Sequence, residues 1–229
     1  MIDAAVGVFV TNGYHRTQMQ DIAQALGLAK GTLYGYAATK EALFAAALRY
    51  ADGVEPMPDL SALPLPTPGP GELAALVAAR LDAELPDLAL TRALARTRPP
   101  ASIEETLDEL SVIVVDLYGR LVRHRVAIKL VDRCASELPE LADVWFQTGR
   151  GAQMSGMRAY LTDRQRAGLL EVPGNLDIVS RTAIELCVLW AVHCHFEPAA
   201  TKNASSDDDA IATTLAAMIT RSMTPNGGQ

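Results

Sequence analysis

At 229 residues with a net charge of −7, the chain has room for one or two domains and is too acidic for a protein coated in nucleic acid. Apolar residues make up 49% and charged residues 21%, enough for a substantial core and against global disorder. Ala and Leu dominate while aromatics and β-branched runs are scarce, which favours helices over sheets.

The charge is uneven. Arg16, Lys30, Lys40 and Arg49 against Asp3, Asp21 and Glu41 give the first fifty residues +1 and leave −8 for the rest. Any DNA footprint must therefore come from the placement of a few groups and not from bulk charge. Cys134, Cys187 and Cys194 are odd in number and widely spaced, as suits a reducing compartment. No secretory signal pattern opens the chain, and the apolar run 186–192 is too short to span a bilayer. The expectation is a cytoplasmic protein with no membrane partner.

Ile2, Ala5, Val6 and Phe9 recur at helical spacing and form one apolar face. Asn12-Gly13 ends that helix. Thr17, with Gln20 three residues on, reads as the capping box of a second helix, whose Met19, Ile22, Ala23 and Leu26 face inward. Gly27 supplies the turn conformation that other residues adopt at a cost. A short helix over 30–36 follows. Thr39 caps a fourth helix, which turns Leu43, Phe44, Ala47 and Leu48 inward. Helix, tight turn and short helix in this order are sized for a DNA major groove.

Residues 52–71 contain Pro56, Pro58, Pro64, Pro66, Pro68 and Pro70 and cannot continue a helix. They read either as a stiff linker or as a long surface loop. Further helices are expected over 72–85, 87–96, 102–124, 126–135, 139–167, 176–196 and 207–222, with a polar loop at 203–209 leading into an acidic helix start that suits the helix dipole.

The N-terminal stretch resembles the TetR family of transcriptional regulators. The resemblance rests on Ala5, Phe9, Gly13-Tyr14, Thr17, Asp21-Ile22-Ala23, Ala25, Gly27-Leu28, Lys30-Gly31-Thr32-Leu33-Tyr34, Tyr36 and Lys40-Glu41-Ala42-Leu43-Phe44. It implies an all-α fold: a three-helix DNA-binding head with a helix-turn-helix over 1–50, the Pro-rich linker or loop over 51–71, and a helical ligand-binding and dimerisation domain over 72–229. A recognition helix offers its first residues to base edges, here Lys30, Gly31, Thr32 and Leu33. Thr17, Tyr34 and Lys40 are expected at phosphates, and Tyr36 packed or at the backbone.

The chain departs from the family pattern at two positions. Ala37 stands where Phe is usual, removing a core anchor. Ala29 stands where a capping Ser or Thr is usual, which costs the recognition helix about 1 kcal/mol. The sequence as given opens at the first helix, ahead of which the family often carries a basic arm.

For the C-terminal part the resemblance implies a homodimer through the last two long helices and an internal cavity for a small-molecule effector. Leu186, Leu189, Trp190 and His193 on the first of these helices, and Leu215 and Ile219 on the second, are the expected interface. Tyr118, His124, Trp145, Met154 and Met157 are the candidate pocket residues, since Met and aromatics suit an adaptable apolar site.

Cys187, His193, Cys194 and His195 do not make a metal site. Adjacent helical residues point about 100° apart, so no metal or cofactor is expected. No GxSxG, P-loop, HExxH or paired Glu-x-x-His pattern occurs, so no enzyme is expected either. The function expected is a ligand-responsive repressor that binds a palindromic DNA operator as a homodimer. The alternative is a helical dimeric adaptor with weakened or lost DNA binding.

Overall fold

The structure is a computed structural model describing residues 1–197 and 207–225. In chain order the α-helices are α1 Ile2–Asn12, α2 Met19–Ala25, α3 Lys30–Leu33, α4 Lys40–Tyr50, α5 Glu72–Glu84, α6 Ala89–Leu94, α7 Ile103–Arg123, α8 Arg125–Cys134, α9 Pro139–Ala142, α10 Ala152–Arg166, α11 Leu176–Val188 and α12 Asp208–Ser222. No strand forms among the described residues; one isolated bridge pairs Ala37 with Leu65. No described helix is long and apolar enough to cross a membrane. Residues 203–206 of the expected polar loop lie outside the described residues.

The chain divides into two compact units, Met1–Leu81 with Arg123–Gly149, and Asp82–Val122 with the residues from Arg150 on. The Pro-rich stretch lies within the first unit, and so does α8.

In the first unit α1 packs on α4 and both pack on α8. Phe9, Tyr14 and Phe44 form the aromatic centre, with Phe9 edge-on to Phe44 at 5.0 Å and Tyr14 edge-on to Phe44 at 5.1 Å, distances at which ring quadrupoles attract. Gly13 ends α1 with φ 83, a value that favours glycine. The Arg133–Glu137 pair lies so close over Gly13 that an added Cβ would sit 2.4 Å from Glu137 Oε1.

Both ends of α8 are tied to the head. The Asp52 carboxylate accepts from the amides of Val126 at 2.8 Å and Ala127 at 2.9 Å, capping first-turn donors that a helix start leaves unpaired. Just past the other end, Glu137 Oε2 accepts from the His15 amide at 2.6 Å. Arg80 of α5 donates to the carbonyls of Leu48 and Arg49 at the end of α4 and to Glu55.

In the second unit α10 packs on α6 and α11, and α11 on α12. Arg164 is buried and binds Glu109 through Nε at 3.0 Å, a charge-assisted pair that satisfies a cation removed from water. The Tyr118 hydroxyl donates to Asp208 at 2.8 Å.

Two expected long helices are interrupted. Residues 139–167 resolve into α9, a π-helical stretch Asp143–Gly151, and α10. Residues 176–196 resolve into α11, a π-helical turn Leu189–His193 and a 3-10 turn Cys194–Phe196.

Candidate nucleic-acid interface

The helix-turn-helix is built by caps and one buried leucine. The cap of α2 is Gln18, not Thr17. The Gln18 side chain and Asp21 form a reciprocal capping box, with the Gln18 amide donating to Asp21 Oδ2 at 2.8 Å. Thr17 is 1% exposed and donates its hydroxyl to the Gly13 carbonyl at 2.6 Å. That hydroxyl is turned inward, so the expected cap role is corrected, and any phosphate contact from Thr17 would have to use its backbone.

The helix α3, expected over 30–36, is a single turn, and no side chain caps it at Ala29. Lys30, Gly31 and Thr32 are exposed. Leu33 is fully buried, which corrects its assignment as a base reader: a one-turn helix must turn one residue into the core to stay attached. Tyr34 and Tyr36 are 42% and 39% exposed, so both phenols stand at the surface beside α3. Arg16 and His15 are exposed at the start of α2 and were not singled out from sequence. A lone arginine before a helix start carries no pattern, and only the exposed position makes it a candidate.

Lys40 is held differently from the expectation of a free phosphate-binding cation. Its Nζ donates to the Tyr14 carbonyl at 3.0 Å and lies 4.4 Å from the Tyr14 ring centre, a cation–π placement. The Tyr14 hydroxyl donates to Glu41 at 3.0 Å. Burial and then the Glu41 bond push the Tyr14 phenol well above its ordinary pKa, so it stays a neutral donor. Thr39 caps α4 as expected, its hydroxyl accepting from the Ala42 amide at 3.2 Å.

Ala37 is fully buried. The chain returns to it from the Pro-rich stretch: the Leu65 amide donates to the Tyr36 carbonyl at 2.8 Å and the Ala38 amide to the Leu65 carbonyl at 3.0 Å. The Thr39 and Thr67 hydroxyls lie 3.0 Å apart.

The pocket candidates fall in separate units. Tyr118, Met154 and Met157 belong to the second, and His124 and Trp145 to the first. The Trp145 indole N–H is buried and has no acceptor among the described residues. Of the interface candidates, Leu215 and Ile219 are 3% and 5% exposed. They face the chain's own core, which corrects their placement on a free surface. Leu186, Trp190 and His193 are half-buried. The apolar side chains that do stand out on α11, the π-helical turn after it and α12 are Ile178 at 66%, Leu189 at 42% and Met218 at 56%. Cys187 is buried, and burial pushes its thiol up to about 12.

Residues 1–47 match the family model of bacterial regulatory proteins of the tetR family. The head is similar to the fatty acid metabolism regulator protein of Bacillus subtilis, at 51% identity over 41 residues. That match covers 18% of this chain and 21% of that protein's length. Among solved structures, the ketosteroid transcriptional regulator of Mycobacterium tuberculosis aligns with a TM-score of 0.59 at 15% identity, over 98% of this chain and 93% of that one. A TetR-family regulator of Streptomyces coelicolor aligns with a TM-score of 0.56 at 16% identity, over 96% and 89%. At such identities these two structures support the fold alone.

Proposed function

We propose that this chain, whose residues 1–47 match the family model of bacterial regulatory proteins of the tetR family, is an effector-released repressor that binds a palindromic operator as a homodimer. The observation that carries the reading is the surface of α3. Lys30, Gly31 and Thr32 stand exposed on its only turn, with Tyr34 and Tyr36 beside it. Thr32 can donate to or accept from a base edge, or set its methyl on a thymine methyl. Lys30 reaches guanine or phosphate, and Gly31 lets the backbone approach. Tyr34, Tyr36 and Arg16 supply the phosphate contacts that fix register without reading sequence.

One turn of helix reads only a few base pairs. Two copies on a two-fold axis double the readout and call for a palindrome, with half-sites about one helical turn apart or slightly more. Ile178, Leu189 and Met218 supply the apolar surface for that pairing. Met154 and Met157 of α10, with Tyr118, are the side chains we assign to effector recognition in the second unit. An effector shifts the DNA-competent population only by its differential affinity for the two states.

Fluorescence anisotropy with duplexes from the chain's own upstream DNA tests the reading. Tyr34→Ala is expected to weaken binding to all sequences alike. Thr32→Ala is expected to relax discrimination at one operator position, by about 1–3 kcal/mol. An intact dimer that shows no saturable binding at low salt would refute the repressor reading and support an adaptor.

A further inference from the structure

We propose that the Pro-rich segment 63–67 is part of the DNA-binding machinery: Leu65 is a positioning residue that braces the exposed tyrosine turn after α3 without touching DNA. The proposal rests on the reading that α3 and its tyrosines face DNA.

The turn has little to hold it. α3 is four residues long and has no side-chain cap, and a single helical turn is not stable by itself. Leu33 anchors the turn from one side. After Tyr34 the chain must present Tyr34 and Tyr36 outward and still reach the Thr39 cap of α4. Tyr36 leaves a carbonyl and Ala38 an amide at this bend, and backbone groups of this kind need partners. Leu65 supplies both, accepting from the Ala38 amide at 3.0 Å and donating to the Tyr36 carbonyl at 2.8 Å.

The side chains agree with the backbone. Residues paired in a bridge project to the same side. Ala37 is 0% and Leu65 8% exposed, so a small and a large apolar residue share one buried place. The volume that Ala37 does not provide comes from a residue 28 positions later in sequence.

Pro64 and Pro66 flank Leu65 and have no amide hydrogen, so a slip of one residue would leave the Tyr36 carbonyl without this donor. Their fixed φ also lowers the entropy lost when the segment orders. After the bridge the segment is tied down again. Thr67 meets the Thr39 cap at 3.0 Å, the Gly69 amide donates to Glu72 at 2.8 Å, and the Gly71 amide donates to Glu140 at 3.0 Å.

The test uses the full chain and a duplex enriched from a random pool on the wild-type protein, with a scrambled duplex as control. Leu65→Ala is expected to lower affinity for the enriched duplex roughly tenfold, an energy of about 1.4 kcal/mol. The scrambled duplex is expected to lose less, because phosphate contacts tolerate misplacement better than base contacts. Ala37→Leu alone overpacks the site and weakens binding. Combined with Leu65→Ala it moves the volume across the bridge and restores affinity to within roughly threefold of wild type. Leu65→Val, a milder truncation, is expected to move the enriched-to-scrambled ratio in the same direction if Leu65→Ala does not fold.

A purely structural role would lower the melting temperature and leave the affinity ratio unchanged, which overturns the proposal. A double variant that binds no better than Leu65→Ala overturns it as well. If the wild-type chain enriches no duplex, the DNA-binding reading fails first and takes the proposal with it. If the wild type binds and folded Leu65→Ala binds equally well, the brace alone is refuted.

Discussion

Glu137 is a single side chain with two tasks. It accepts the His15 amide at 2.6 Å and pairs with Arg133 at 3.2 Å, and these contacts, the backbone amide first, hold its carboxyl below the usual carboxylate pKa. A depressed folded-state value means that the stabilisation is complete above the ordinary pKa of 4.5 and is lost as pH falls through the lower folded value. Glu137→Gln is therefore expected to be less stable than wild type at neutral pH by about 1 kcal/mol. Urea unfolding at stepped pH should show the difference closing in acid; a difference that stays constant with pH would remove the assigned cause. Residues of this kind were not legible in the sequence, because the partners lie 122 positions apart. Thr39 was legible because capping is local: its partner is the Ala42 amide three residues on. Thr17 misled for the same local reason. A threonine ahead of a helix can bond forward to the helix or backward to the preceding turn, and here it bonds back to Gly13.

Among the elements, α8 depends on a cap supplied from outside its own sequence. His124 precedes it without a side-chain cap, and Asp52 provides the acceptor for both Val126 and Ala127. Asp52→Ala is expected to cost about 1 kcal/mol. Hydrogen exchange should speed at the first turn of α8 before it does elsewhere; unchanged protection there would show that water replaces the cap without cost. Helix positions were largely legible, since a 3.6-residue apolar period marks α4, α7 and α8 directly. The interruptions were not. A π-helical stretch such as Asp143–Gly151 bonds each residue five positions on, and a reading that assumes one period passes over it. The reading of residues 139–167 as one uniform helix failed for that reason.

At the level of the whole molecule, the exposed apolar side chains of α11 and its extension and of α12 set the expectation for assembly. Ile178, Leu189 and Met218 stand in water in the single chain, an arrangement that pairing with a second copy relieves. Leu189→Glu is expected to shift the chain to monomer in sedimentation velocity and to weaken operator binding by more than tenfold, since each head then binds alone. A dimer that persists with Leu189→Glu would place the pairing surface elsewhere. The two helices were legible as apolar elements, but which of their faces stays exposed was not. A stripe containing Ala212, Leu215, Ala216 and Ile219 looks the same whether it meets a partner or the chain's own core, and in this fold it is buried within the chain.

The packing of α8 on α1 and α4 also bears on how such regulators can be recombined. A chimera cut at the Pro-rich stretch would carry α1 to α4 and Asp52 away while leaving behind α8, whose first turn Asp52 caps, and the Arg133–Glu137 pair over Gly13. The first compact unit is discontinuous in sequence, so on the proposed reading a chimera that exchanges specificity has to move α8 along with the first eighty residues.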